Sequence, residues 1–165
     1  MTQMSAAQDL KGLINEAMPR LAVITESQAS AKPYPDKWSL KEILGHLLDS
    51  AANNRQRIVR MQQAEDIGTF SYDQQHWVSA QHYQSEAWAA LVEFWHLYNE
   101  HIAHMMEHVD PASLGHTCDM GYSAPATLRF VMEDYVRHVR HHLEQIFADA
   151  DPLHRQRWVM RPPEP

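Results

Sequence analysis

A chain of 165 residues fits one ordinary domain around a single hydrophobic core. Its 44% apolar and 21% charged residues are globular values and exclude a disordered chain. A net charge of -7 with no clustered run of Lys and Arg argues against a nucleic-acid partner; the densest basic stretch, Arg55, Arg57 and Arg60, reads as a solvated helix face.

The first element is an amphipathic helix over about residues 4 to 28, with Leu10, Leu13, Ile14, Ala17, Met18 and Leu21 at three-and-four spacing. Pro19 should kink or split it. Asp9, Lys11 and Glu16 interrupt this segment, so it lacks the continuous apolar run of a signal peptide. No stretch approaches the ~18 apolar residues of a membrane span, which makes the cytoplasm the expected location. After a joint holding Pro33 and Pro35, Ser39 stands three residues before Glu42, a capping-box start. From there Leu40, Ile43, Leu44, Leu47, Ala51, Ile58 and Met61 trace a second helix to about residue 63.

Residues 64 to 79 have no clear period and read as a long connection. A third helix is expected from about Ala80 to Val109, with Ala87, Leu91, Phe94, Trp95, Tyr98, Ile102, Met105 and Met106 inward. Asp110-Pro111 ends it, and residues 115 to 124 form a second irregular connection. The fourth helix should start near Pro125 and run to Ala148, burying Leu128, Val131, Met132, Tyr135, Val139, Leu143 and Ile146. No strand pattern is visible, and five glycines are few for an all-β fold. The expected organisation is a bundle domain over residues 1 to 149 and a proline-containing tail over 150 to 165, draped on the surface. Cys118 is the sole cysteine, so no internal disulfide can form.

Histidine is the outlier, with twelve in the chain. His138 and His142 are four apart and share a helical face, close enough for two imidazoles to bind one ion, although a bare H-x-x-x-H often arises by chance. Asp134 extends that stripe one turn back; it suits a second-shell acceptor for a ring N–H, or an ion pair with Arg137. His46 lies in the core-bound run Leu44-Gly45-His46-Leu47-Leu48 and needs partners for its ring nitrogens. It reads either as a third ligand or as a core histidine bonded to a carbonyl. His101, His104 and His108 form a competing stripe, but three ligands on one straight helix rarely reach one ion, so a polar or inter-subunit face is expected there.

Geometry links the two ends. His46 lies ~10 Å into the second helix and His142 ~9 Å before the end of the fourth. They share a height only if those helices are antiparallel, which a simple up-down-up-down bundle forbids. A long crossover is required. Residues 64 to 79 can span ~50 Å when extended, enough to return along a ~36 Å helix, and the joint at 109 to 124 is nearly as capable.

The run Lys37-Trp38-Ser39-Leu40-Lys41-Glu42-Ile43-Leu44-Gly45-His46-Leu47-Leu48-Asp49-Ser50 resembles the region around the first metal ligand in the DinB-like superfamily, especially its YfiT-type branch of metal-dependent hydrolases. The resemblance continues through Ala52 to Arg57, Tyr72-Asp73-Gln74-Gln75-His76-Trp77-Val78 and His138 to Ile146. It implies an all-α four-helix bundle with the crossover between helices 2 and 3, a three-histidine metal site on His46, His138 and His142, and a homodimer. It further implies hydrolysis, or transfer of a low-molecular-weight thiol cosubstrate, acting on a small molecule.

Three neutral imidazoles would leave a position for a metal-bound water, the expected nucleophile, with zinc or nickel suited to the nitrogen set. With the crossover in place, Tyr72, His76, Trp77 and Tyr83 arrive near the metal end as pocket, acid-base or packing residues, and Asp49 joins them as a supporting candidate. The rival expectation is a metal-binding or stress-related interaction protein without turnover.

Overall fold

Apolar stripes set each long helix, and capping side chains open three of the four. In the computed structural model, which describes residues 5–154, α1 (Ala6–Ala22) opens on a capping box of Ser5 and Gln8 and buries Leu10, Leu13, Ile14, Ala17 and Leu21. Pro19 is accommodated within α1, one turn before its end. The expected helix to residue 28 is instead two: a second capping box, Thr25 with Gln28, starts the short α2 (Glu26–Ser30). Ser39 and Glu42 open α3 (Leu40–Gln63) as their spacing indicates. Glu26 then ties the elements together, because it pairs with the buried Lys41 of α3 and accepts the Trp88 N–H at 2.8 Å.

The crossover has structure of its own. It contains β1 (Asp66–Thr69), α4 (Gln74–Gln81) capped by Asp73, and a 3-10 turn at Tyr83–Ser85. His82, at a left-handed φ of 52°, ends α4. The third long helix, α5 (Trp88–Glu107), therefore begins eight residues after the expected Ala80. The next connection holds a 3-10 turn (Pro111–Ser113), β2 (Thr117–Asp119) and β3 (Ala126–Thr127), and α6 (Leu128–Ala150) starts on a Thr127 cap rather than at Pro125. The strands were not expected. They form one small sheet in the order β1-β2-β3, with β1 parallel to β2 and β2 antiparallel to β3, joining the two long connections.

Side-chain contacts fix the helix directions. His116, whose carbonyl accepts the N–H of Leu128 at the start of α6, also meets the Met61 carbonyl near the end of α3, so α3 and α6 are antiparallel. Lys11 meets Glu107 at 2.7 Å and Trp88 donates to the Leu21 carbonyl at 3.1 Å, so α1 and α5 are antiparallel. Arg20 caps the Phe147 ring at 3.6 Å, bringing the late turns of α1 and α6 together. The long helices therefore run up, down, down, up, and the reversal between α3 and α5 is the crossover at residues 64 to 87. α1 and α3 each pack on both α5 and α6.

The core follows the stripes with one rotation. Every expected inward residue of α6 is buried. On α5 the buried set is Trp88, Leu91, Val92, Trp95, Asn99, Ile102, Ala103 and Met106, whereas Phe94 is 55% exposed and Ala87 is exposed as the N-cap. Asn99 goes inward because the buried Tyr135 hydroxyl donates to its Oδ1 at 2.5 Å. Of the expected tail, residues 155 to 165 lie outside the described residues.

Candidate metal centre

The antiparallel pairing of α3 and α6 brings the second turn of one against the later turns of the other. His46, only 1% exposed, places its Nε2 3.0 Å from the Nε2 of His138. Ring centroids lie 5.0 Å apart for His46 and His138, 4.8 Å for His46 and His142, and 4.5 Å for His138 and His142. One ligand atom from each ring falls within 4.8 Å of the others. Two nitrogens bound to one tetrahedral ion stand about 3.3 Å apart, so one pair already has that spacing and the third ring is within a torsional adjustment. Among the described residues this is the one group of three or more His, Cys, Asp or Glu gathered so closely.

The surroundings hold the rings neutral and aimed. Burial first, then the His138 and His142 rings, push His46 down from 6.5 to about 3. Burial, with His142 next, pushes His138 down to about 4 against the opposing pull of Asp134. Burial also lowers His142, and its bond to Gln145 offsets part of that. Neutral imidazole is the form that ligates a metal. The Nδ1–H of His142 donates to Gln145 Oε1 at 3.0 Å, which leaves Nε2 with the lone pair. Gln145 is a supporting residue that the sequence reading did not single out; its signal is an amide three positions after His142. The buried Nδ1 of His46 has no partner among the described residues, while Trp38 packs on the ring at 5.2 Å. A cation at the opposite nitrogen would anchor a ring that the protein otherwise holds only by packing and by His138.

These shifts carry a pH prediction for the metal-free protein. The folded rings resist a proton that unfolded histidines accept near 6.5, so the unfolded chain binds more protons below that value. Stability is therefore full above about pH 6.5 and falls as the pH drops toward 4. Urea midpoints at pH 7 and pH 5 should differ, and His46→Gln should flatten the difference. Equal midpoints in the wild type would contradict the burial of these rings.

The other expected residues divide. Tyr83 is buried, its ring lying flat against Gly45, and its hydroxyl donates to Asp49 Oδ1 at 2.6 Å. Gln81 also donates to that oxygen at 2.6 Å, and Asp49 itself is 2% exposed with Oδ2 unpartnered among the described residues. Burial raises the Asp49 carboxyl despite these two donors. Tyr72 packs edge-on to Trp77 at 5.2 Å, and burial pushes its hydroxyl up to about 12. Asp134 does not accept from a ring of the cluster; it pairs with Arg137 at 3.0 Å and accepts from the Tyr122 hydroxyl at 3.3 Å. His76 is exposed, and its backbone N–H, donated to Asp73, is its contribution to α4.

One cavity borders the centre and a second reaches it at His138. One of about 440 Å³ is lined by Tyr34, Lys37, Trp38, Gln75 and Gln145, so it borders the residues packed on His46 and His142. The other, of about 190 Å³, is lined by Ser50, Asn54, Arg57, Tyr72, Asp134 and His138. The rival histidine stripe stays outward: His101, His104 and His108 are exposed, and the ring of His108 bonds the His104 carbonyl at 2.7 Å. No helix among the described residues is long and apolar enough to cross a membrane.

A bundle with this helix order and a histidine cluster across α3 and α6 defines a class, and the chain belongs to the DinB superfamily, whose family model matches residues 10–146. Among solved structures it is similar to YfiT from Bacillus subtilis, described as a probable metal-dependent hydrolase with an unusual four-helix bundle topology. The two share 16% identity over 90% of each chain with a TM-score of 0.75, a likeness of fold. No curated protein matches the chain.

Proposed function

We propose that His46, His138 and His142 hold one divalent cation, zinc or nickel, and that the protein is a metal-dependent hydrolase of a small molecule. The observation that carries this reading is the convergence of three neutral imidazoles, from two distant segments, where a cavity ends on His138. A cation with three nitrogen ligands supplies Lewis-acid chemistry at an open position. The description of YfiT as a probable metal-dependent hydrolase supports the same assignment.

The chain's own residues have definable parts. Gln145 fixes the tautomer of His142. Trp38 covers the His46 ring and excludes water from that side. Tyr72 keeps its proton at neutral pH and can donate it in a hydrogen bond to a group in the smaller cavity. Asp49 and Tyr83 lock the crossover onto α3 beside His46.

The test is turnover by untagged protein loaded with zinc or nickel, assayed on ester and amide substrates without added thiol. Metal-dependent hydrolysis, lost after phenanthroline treatment and restored by the ion, is the expected result. Turnover only with an added low-molecular-weight thiol would assign the site to thiol transfer instead. No metal-dependent turnover across the panel would favour a binding protein.

A further inference from the structure

Arg57 is expected on a solvated basic face with Arg55 and Arg60, yet it is 5% exposed. It is buried as a cation without a carboxylate: among the described residues no acidic group lies within ion-pair distance of it. Its Nη2 donates to the Phe70 carbonyl at 2.7 Å and its Nη1 to Asn54 Oδ1 at 3.2 Å. Its Nε–H is buried with no partner. Asp134, the acid of the same cavity, is already engaged by Arg137 and Tyr122. Removing a guanidinium from water with no carboxylate in contact is unfavourable; Asp134 acts on Arg57 only from beyond ion-pair distance, and an anion in contact would offset more of that cost.

We propose that the cavity floored by Arg57 binds a carboxylate, and that the substrate carries this group on the guanidinium while its reacting bond lies toward His138. The second half rests on the hydrolase reading; the first half does not. Ser50, Asn54 and Arg57 share one face of α3, and His138 faces them from α6 along the same cavity. The planar fork of a guanidinium matches a planar carboxylate, and each Nη keeps a second N–H beyond the one given to Asn54 or Phe70, while the shielded Nε–H reports on the guanidinium from behind. Two held donors, Asn54 and Phe70 being their acceptors, keep the fork from turning away. At about 190 Å³ the space is below the roughly 300–1,000 Å³ of a drug-sized site, so it takes the acidic end of a small molecule. A single guanidinium with Asp134 nearby suits a monoanionic carboxylate better than a phosphate dianion.

The experiment follows the Arg57 Nε–H resonance in ¹⁵N-labelled protein freed of metal with phenanthroline, so that no ion can ligate the probe. Butyrate, a monoanion, should move this resonance saturably, and butyramide, its uncharged counterpart, should not. By calorimetry Arg57→Gln should weaken butyrate binding at least about tenfold, with Arg57→Lys keeping the charge but losing the fork. Should neither variant fold, the wild-type titration decides alone. No saturable shift, or an equal shift with butyramide, overturns the proposal; tighter binding of inorganic phosphate overturns the carboxylate assignment. His142→Ala separates the two claims, because it should retain butyrate binding while losing metal.

Discussion

Replacing Gly45 by alanine should destabilise the protein by about 2–4 kcal/mol, although alanine is the better helix former by about 1 kcal/mol. A Cβ at this position would stand 2.1 Å from Cδ2 of Tyr83 and 2.4 Å from Cγ and Cε2, so the ring must leave. Tyr83 is 4% exposed and anchored by its hydroxyl on the buried Asp49. Overpacking a filled core costs about 1–3 kcal/mol, and losing a hydrogen bond to a buried carboxylate costs about 1.5–3 kcal/mol. Urea unfolding measures the sum. If the clash is the cause, the same substitution in a Tyr83→Ala background should be neutral or stabilising by up to about 1 kcal/mol. A Gly45→Ala protein as stable as the wild type would mean that the crossover does not press on α3.

Metal content should fall from one equivalent to near zero in His46→Ala, His138→Ala and His142→Ala alike. Loss of a side chain that only orients a ligand ring typically weakens a site about 10–100-fold, so loss of a ligand should exceed that, and Gln145→Leu should fall within it. His142 is half-buried and His46 fully so, which makes His142→Ala the cleaner variant for separating ligation from folding. Elemental analysis of untagged proteins, checked by circular dichroism, reads the result. Metal in the three histidine variants equal to that of the wild type would remove the centre.

What could be read before any coordinates was what neighbouring residues decide. The Ser39–Glu42 capping box and the apolar stripe of α6 are local, and both stand as their spacing indicates. The crossover was legible through a longer argument: His46 can meet His138 and His142 only if α3 and α6 oppose each other. The strands were hidden because segments of two to four residues carry no alternation and exist only where two connections meet. The start of α5 was blurred because His82, a non-glycine, takes the left-handed turn that ends α4. Phe94, expected inward, is exposed while Asn99 is buried, since a Tyr135 hydroxyl on another helix decides which face of α5 turns inward. Arg57 was misplaced for the same reason: the Phe70 carbonyl that receives it belongs to the crossover.

The central claim is that two remote helical segments share one cation. Anomalous diffraction at the zinc and nickel edges, from crystals of protein purified without a tag or chelator, addresses it most directly. A single peak about 2.0–2.1 Å from one nitrogen each of His46, His138 and His142 is the expected result. Crystals from protein saturated with either metal that show no peak there, or a peak bound elsewhere, would contradict it.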